Sequence, residues 1–216
     1  METLAILPVK RFVLAKQRLG ARLPVAARVA LAEAMVSDVL AALVGARELT
    51  GVLVITNERV VASIAERLGA RVVADPAEAG QSAAASVGVV AAVRAGLARV
   101  LLVPGDCPAL DSDELDDLLA DSAAGPRVVI VPDRHGHGTN ALLLTPPDVI
   151  APAFGPESFE RHRRLAAAAG ARCEIARPDT LLLDIDTPAD LAALLADPRQ
   201  RAPRTRAAYL AATSAA

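Results

Sequence analysis

Three charged residues have types and positions that suit the binding of a nucleoside triphosphate. Lys10 directly follows one apolar run of the sequence, Asp106 lies just after a second run, and Asp186 lies just after a third. A lysine can neutralise a phosphate group as a point charge, and Mg²⁺ takes oxygen ligands such as carboxylates. Together these residues predict a site for a nucleoside triphosphate and Mg²⁺.

The scarcity of lysine draws attention to the first of these positions. Among the 23 Lys and Arg residues, only Lys10 and Lys16 are lysines, and Arg18 follows closely. We expect these cations to contact the phosphates. The alternative is that an arginine-rich composition leaves two lysines here by chance.

Each aspartate also has a structural interpretation. Asp106 follows Gly105 and could simply form a turn. Asp186 precedes Thr187-Pro188 and could cap a helix that starts there. The position of both carboxylates at strand ends favours metal binding over either structural role.

Three polar segments are further candidates for ligand contacts. Residues 133–140 place glycines at alternate positions ahead of Thr139, a pattern that lets backbone amides approach an anion. The two histidines of this segment lack a third ligand at suitable spacing, which disfavours zinc. Gly155 precedes a predicted helix and Ser158 opens it, an arrangement that suits a phosphate or carboxylate, or a plain capping box. Residues 80–82 are predicted to form a polar loop.

The elements that would position these residues alternate along the chain. Short β-branched runs without polar alternation indicate strands that are covered on both faces. Segments with apolar residues at helical spacing lie between these runs. This order predicts an α/β fold with a mostly parallel sheet, in which ligands bind beyond the carboxyl ends of the strands. The predicted strands are Leu4–Val9, Val52–Thr56, Arg71–Ala74, Val100–Val103, Val128–Val131, Asn140–Thr145, Arg172–Ala176 and Leu181–Ile185. The predicted helices are Pro24–Val44, Glu58–Leu68, Ala83–Ala98, Asp111–Leu119, Ser158–Ala169 and Pro188–Leu195.

The second half of the chain departs from this rhythm. One of its strands is expected to be antiparallel and to lie at the sheet edge. Residues 1–196 are predicted to form one domain. Residues 197–216 are predicted to form a solvated C-terminal extension, with a short helix that could dock on a second subunit of a homodimer.

Composition excludes several other classes of protein. The formal charge is −2 and aromatic residues make up 2%, so neither a basic surface nor a stacking platform is available for nucleic acid. The apolar runs are too short to cross a membrane, and the N-terminus lacks a leader pattern, so we expect a cytoplasmic protein. Two cysteines cannot form a disulfide framework.

The motifs together resemble the phosphoenolpyruvate and 2-phospho-L-lactate guanylyltransferases of coenzyme F-420 biosynthesis. The matching motifs span residues 7–188 in the expected order: Leu7–Lys10, Ala15–Leu19, Pro104–Pro108, Asp133–Arg134 with Gly136, Gly138–Leu142, Phe154–Gly155 with Ser158, and Asp184–Pro188. The resemblance implies a glycosyltransferase-A-like nucleotidyltransferase fold, a single domain with helices on both faces of the sheet.

The resemblance also implies roles for individual residues. Asp106 and Asp186 would hold Mg²⁺. Thr139, Gly155 and Ser158 would bind the phosphorylated three-carbon acid. The residues implied in catalysis are Lys10, Lys16, Arg18 and Asp106. Those implied in binding GTP are Pro8, Lys10, Lys16, Arg18, Gly80, Ser82 and Pro104. Position 82 is Ser where the family pattern tends to Asn.

The expected reaction is nucleotidyl transfer without a covalent enzyme intermediate. A phosphate oxygen of the acceptor attacks the α-phosphorus of GTP, and pyrophosphate leaves. The resemblance favours phosphoenolpyruvate as the acceptor, with 2-phospho-L-lactate as the alternative. Other possibilities are a molybdopterin guanylyltransferase, a sugar-nucleotide transferase or a non-catalytic nucleotide-binding domain. The first two usually carry a glycine-rich loop after the first strand, and residues 7–19 contain no glycine.

Overall fold

The computed structural model describes residues 1–12, 19, 23–120 and 125–214. The strands are β1 (Thr3–Val9), β2 (Gly51–Thr56), β3 (Arg71–Val73), β4 (Arg99–Leu102), β5 (Arg127–Pro132), β6 (Thr139–Thr145) and β7 (Arg172–Ile175). The helices are α1 (Val25–Gly45), α2 (Arg59–Arg67), α3 (Gln81–Arg94), α4 (Ser112–Ala120), α5 (Ser158–Ala168), α6 (Pro188–Leu195) and α7 (Pro203–Ser214).

The described strands form one sheet of seven, in the order β3-β2-β1-β4-β6-β5-β7. All the pairings are parallel except those of β6, which runs antiparallel to both β4 and β5. The predicted α/β fold with a mostly parallel sheet is therefore confirmed. The predicted place of the antiparallel strand was wrong. Because β6 returns from β5 as a hairpin and inserts beside β4, it lies inside the sheet and not at its edge.

Helices cover both faces of this sheet, which explains the uninterrupted apolar runs. On one face, alternate strand residues such as Leu7 and Leu101 pack with α1, α2, α4 and α6. On the other face, Ile6 and Leu102 pack with α3 and α5. All four of these side chains are fully buried. A strand buried on both faces needs apolar residues at every position, which is the pattern seen in β1 and β4.

The parallel arrangement brings several chain reversals to one edge of the sheet. Lys10 directly follows β1, and Pro104-Gly105-Asp106 follows β4, which pairs with β1. Residues 133–138, which connect β5 to β6, lie at the same edge because β4 and β5 both run antiparallel to β6 and therefore point in the same direction. This is where an open α/β sheet binds its ligands.

Two local predictions were wrong. Leu181–Ile185 is not a strand: Asp179–Leu181 is a 3₁₀ turn. The carbonyl of Leu181 accepts a hydrogen bond from the Asn140 side chain at 2.9 Å, so a side chain takes the place of a strand partner. Gln81 and Ser82 lie in the first turn of α3 rather than in a loop, and Gly80 is its N-cap with φ 107°.

The C-terminal segment was expected to be solvated, and this was also wrong. The last described helix, α7, packs along α1 of the same chain. The Asp38 carboxylate of α1 is 3% exposed and accepts hydrogen bonds from the backbone amide and hydroxyl of Thr205, both at 2.8 Å. It also pairs with Arg204 at 3.2 Å. These buried contacts attach α7 to the core of the domain.

Among the described residues, no helix combines the length and the apolar character needed to cross a membrane.

Candidate active site

A cavity of about 230 Å³ opens at the carboxyl ends of β1 and β4. Pro8 and Lys10 line it from the first strand, and Pro104 and Asp106 line it from the loop after β4. Three of the residues predicted to bind GTP therefore share one cavity with Asp106, which was predicted to hold Mg²⁺. Lys16 and Arg18, predicted for the same role, lie outside the described residues.

A second cavity, of about 510 Å³, adjoins the first. Its walls come from the start of β6, the loop that precedes it and the segment that leads into α5. Thr139, Gly155 and Ser158 all line it. The structure thus brings together the three residues predicted to bind the acid, although they come from two separate parts of the chain.

The two cavities share a wall. Asp106 and Asp186 line both of them, together with Gln81 and Pro104. The carboxylates implied in Mg²⁺ binding therefore stand between the predicted nucleotide site and the predicted acid site. This is the geometry that transfer between two bound phosphates requires, because the reacting groups must meet next to the cation.

Backbone contacts explain how two distant carboxylates meet. The backbone amide of Ile185 donates to the carbonyl of Asp106 at 2.9 Å, which ties the loop after β4 to the segment before α6. The carboxylate of Asp190 then accepts the backbone amide of Asp186 at 3.0 Å. Thr187, and not Asp186, is the N-cap of α6 and forms a capping box with Asp190. The capping interpretation of Asp186 is therefore wrong.

A third carboxylate, Asp184, lies close to this pair. Burial raises the pKa of Asp184 above its usual value, and the negative charge of Asp106 raises it further. Asn140 donates to the Asp184 carboxylate at 3.3 Å and offsets part of this effect. Carboxylates that repel each other in this way are a favourable environment for a cation.

The donor set fits Mg²⁺ bound partly by substrate. Within residues 1–12, 19, 23–120 and 125–214, there is no group of three or more His, Cys, Asp or Glu side chains that could enclose a metal ion. Mg²⁺ does not need such an enclosure, since it is usually held by one or two carboxylates together with substrate phosphates and water. Asp106 and Asp186 would supply those two carboxylates.

The loop between β5 and β6 is organised around the carboxylate of Asp133. It accepts hydrogen bonds from the backbone amides of His135 and His137, both at 3.0 Å, and of Gly138 at 2.9 Å. Burial alone would raise the pKa of Asp133, but these amide donors hold it below its usual value. The amides of this loop therefore bind an internal carboxylate, and Arg134 ties the loop to Asp190.

The segment before α5 has an unusual backbone. Gly155 has φ 113° and Glu157, the N-cap residue, has φ 55°. Ser158 is the first residue of the helix and is 1% exposed, and no side-chain capping bond is present. The alternative interpretation of Ser158 as part of a capping box is therefore wrong, and the residue lines the second cavity.

The sequence and the fold both match known proteins. A family model described as "Guanylyl transferase CofC like" matches residues 3–205. A protein of Conexibacter woesei named phosphoenolpyruvate guanylyltransferase is 50% identical over 195 residues, which are 90% of this chain and 87% of that protein. The chain belongs to this guanylyl transferase family. It is a nucleotidyltransferase, as the sequence predicts.

Two other relatives define the range of this similarity. A protein of Phenylobacterium zucineum named 3-phospho-D-glycerate guanylyltransferase is 38% identical over 189 residues, 86% of each chain. A crystal structure from Desulfovibrio desulfuricans G20, described provisionally as a nucleotide-diphospho-sugar transferase, aligns with a TM-score of 0.75 at 17% identity. It covers 99% of this chain and 96% of that one. The predicted glycosyltransferase-A-like nucleotidyltransferase fold is confirmed.

Sequence reasoning missed several residues at the site of this guanylyl transferase. Gln81 lines both cavities, whereas Gly80 and Ser82 beside it are not among the residues that line them. Arg11 lines the first cavity next to Lys10 and pairs with Glu78 at 2.7 Å. Its side chain holds the pKa of Glu78 down to about 2. No spacing rule marks these contacts, because they depend on where the loops fold.

A second group of missed residues positions the site without lining either cavity. Asp190 holds the backbone of Asp186, as described above. His162 lies one helical turn after Ser158 and contacts Thr139. The turn spacing of Ser158 and His162 on one helix is the only sequence signal that could have drawn attention to this histidine.

Proposed function

We propose that this protein transfers GMP from GTP to the phosphate of phosphoenolpyruvate and releases pyrophosphate. The observation that carries the proposal is the pair of adjoining cavities with Asp106 and Asp186 in their common wall. Family membership favours this reaction over a molybdopterin guanylyltransferase, a sugar-nucleotide transferase or a non-catalytic domain.

The chemistry needs positioning rather than a covalent enzyme group. A phosphate oxygen of phosphoenolpyruvate forms a bond to the α-phosphorus of GTP as the bond from that phosphorus to the β-phosphate oxygen breaks. The leaving pyrophosphate takes that electron pair. Both reactants are anions, so holding them in line and neutralising their charge removes most of the barrier.

Each cavity has a separate task in this proposal. In the first cavity, Lys10 neutralises phosphate charge on GTP, and Pro8 and Pro104 line the walls against which the nucleotide binds. In the second cavity, Thr139 and Ser158 offer hydroxyl donors to the acid, and the backbone at Gly155 can approach it closely. Lys16 and Arg18, outside the described residues, are also proposed to bind GTP. Gly80 and Ser82 do not line either cavity, and their proposed contact with GTP rests on their position beside Gln81.

Asp106 and Asp186 would hold Mg²⁺ between the two substrates, where the ion supplies positive charge to the phosphates in the transition state. The two carboxylates are placed for this by the Asp106–Ile185 backbone bond and by Asp190. On this proposal the protein acts in the cytoplasm, in the biosynthesis of coenzyme F-420.

The acceptor is the point on which the relatives differ. The Conexibacter woesei protein supports phosphoenolpyruvate, while the more distant Phenylobacterium zucineum protein makes 3-phospho-D-glycerate a second candidate. The sequence resemblance adds 2-phospho-L-lactate. All three acids carry one phosphate and one carboxylate, the anionic groups that the second cavity would bind.

Pyrophosphate release tests donor and acceptor together. The purified protein is incubated with Mg²⁺, each of four nucleoside triphosphates and each of these three acids. We expect the highest kcat/KM with GTP and phosphoenolpyruvate, and release should require both. Asp106→Asn should abolish turnover, while the matched variant Asp113→Asn, at an exposed position on α4, should retain it. Faster release with another acid would reassign the acceptor, and no release with any pair would refute the proposal.

A further inference from the structure

The imidazole of His162 is fully buried behind the second cavity and is hydrogen-bonded through both nitrogens. Its Nε2 accepts the backbone amide of Ala153 at 2.9 Å. Its Nδ1 lies 3.0 Å from the hydroxyl oxygen of Thr139. Phe154 packs against the ring edge-on, with the ring centroids 5.3 Å apart.

These contacts fix where the histidine carries its proton. A backbone amide can only donate, so Nε2 must be unprotonated and the neutral ring must carry its hydrogen on Nδ1. The pKa of His162 is lowered to about 4 by burial and by the nearby charge of Arg161, so the ring is neutral at ordinary pH. Nδ1–H therefore donates to the Thr139 oxygen.

The tautomer in turn decides what Thr139 offers to a ligand. A threonine hydroxyl has one proton, and this proton is free for another acceptor once the oxygen receives the bond from His162. Thr139 lines the second cavity, where a phosphate or carboxylate can only accept hydrogen bonds. With the opposite tautomer, Thr139 would donate to the histidine and turn a lone pair towards the anion, which is repulsive.

The same helix also holds the backbone of a second segment that lines the cavity. His162 binds the amide of Ala153, and the neighbouring Arg161 donates to the carbonyls of Ala153 and Pro156, both at 2.9 Å. These bonds lie on both sides of Gly155 and hold the backbone there. One turn of α5 thus fixes both a side chain and a loop of the second cavity.

We propose that His162 is a positioning residue for the acid substrate: it keeps the Thr139 hydroxyl as a hydrogen-bond donor towards the bound anion and holds the loop around Gly155. This inference rests on the proposed function and deepens it. His162 acts through Thr139 and the loop, and it takes no proton from either substrate.

The kinetic test uses variants that separate positioning from folding. His162→Phe keeps a ring beside Phe154 but removes both hydrogen bonds, and Thr139→Val keeps the side-chain shape but removes the hydroxyl. Each should raise the KM for phosphoenolpyruvate by about tenfold or more, while the KM for GTP stays within about twofold. Thr139→Ser, which keeps a hydroxyl, should raise the KM for phosphoenolpyruvate less than Thr139→Val does. His135→Phe changes an exposed histidine in the same way and should leave both constants unaltered.

The double variant tests whether the two residues act as one unit. Combining His162→Phe with Thr139→Val should raise the KM for the acid less than the product of the two single effects, since both remove the same donor. The inference would be overturned by any of three results. These are a KM for the acid in the double variant equal to the product of the two single effects, an unchanged KM for the acid in His162→Phe, and an equal rise in the KM values for the acid and for GTP. Absence of turnover by the wild-type protein would instead overturn the proposed function.

The tautomer can be measured even where His162→Phe does not fold. In protein labelled with ¹⁵N-histidine, long-range ¹H–¹⁵N correlation spectra distinguish a proton on Nδ1 from one on Nε2. The wild-type spectrum should contain one buried histidine with its proton on Nδ1, and His162→Gln should lose that signal if the first variant is insoluble. A buried histidine with its proton on Nε2 would overturn the inference.

Discussion

The buried histidine of α5 makes the stability of this protein depend on pH in a defined window. His162 has a pKa of about 4 in the folded protein and 6.5 in the unfolded chain, because burial disfavours its charged form. Below pH 6.5 the unfolded chain therefore binds more protons than the folded one. The contribution of His162 to the free energy of unfolding is fully present above pH 6.5 and is lost as the pH falls towards 4.

The size of the effect follows from the pKa difference. Each pKa unit is worth about 1.4 kcal/mol, so a change from 6.5 to about 4 amounts to about 3 kcal/mol. Most of this should be lost between pH 7 and pH 4.5. Carboxyl groups whose pKa is lowered in the folded protein, such as Asp133 with an ordinary pKa of 3.8, lose their contribution to folding stability at lower pH than His162 does.

Urea unfolding at several pH values between 4.5 and 7 measures this contribution. We expect the free energy of unfolding of the wild-type protein to fall by about 2–3 kcal/mol more than that of His162→Phe as the pH is lowered over this range, because the phenylalanine cannot take up a proton. The matched variant His135→Phe, at an exposed position, should lose as much as the wild type. A parallel pH dependence in the wild type and His162→Phe would refute the assignment of a buried, neutral histidine.

Three other side chains give measurable expectations. Lys10→Ala should lower kcat/KM for GTP by at least about tenfold, or about 1.4 kcal/mol, and should leave the melting temperature unchanged because the residue is exposed. Unchanged kinetics would mean that the scarcity of lysine reflects composition alone. Ser158→Ala should raise the KM for the acid by about ten- to a hundredfold, since a hydrogen bond to a charged group is worth about 1.5–3 kcal/mol; a rise confined to the KM for GTP would place this helix end on the nucleotide side. Asp38→Ala should lower the free energy of unfolding by about 2–4 kcal/mol, because it leaves the buried polar groups of Thr205 unpaired. A loss below about 0.5 kcal/mol in urea unfolding would show that this carboxylate does not hold α7 in place.

Local patterns were sufficient to predict the elements that depend on burial. The apolar runs of β1 and β4 identified central strands, and the rule about strand ends then placed Lys10 and Asp106 at one edge of the sheet. Asp186 lines the same cavity although the strand predicted before it does not form. The predictions failed where a distant side chain satisfies the backbone. The Asn140 side chain binds the carbonyl of Leu181 where a strand was predicted, and the Asp38 carboxylate binds Thr205 of the docked C-terminal helix.

The candidate site divides in the same way. Residues that would touch a ligand carry chemistry that a sequence reveals, such as the carboxylate of Asp186 or the hydroxyl of Thr139. Residues that position them do not, because Asp190 and His162 act through tertiary contacts that no local spacing encodes. The alternative interpretation of Asp186 as a helix cap is wrong for this reason, since Thr187 and Asp190 form the capping box.

Phosphorus NMR of the reaction products tests the central claim most directly, namely that a nucleotide in one cavity is joined to an acid phosphate in the other. With GTP, phosphoenolpyruvate and Mg²⁺, we expect the monoester signal of the acid to be replaced by two mutually coupled diphosphate signals, together with pyrophosphate. An acid signal that persists while GTP is converted to GMP and pyrophosphate would make water the acceptor. That result would contradict the assignment of the second cavity to the acid.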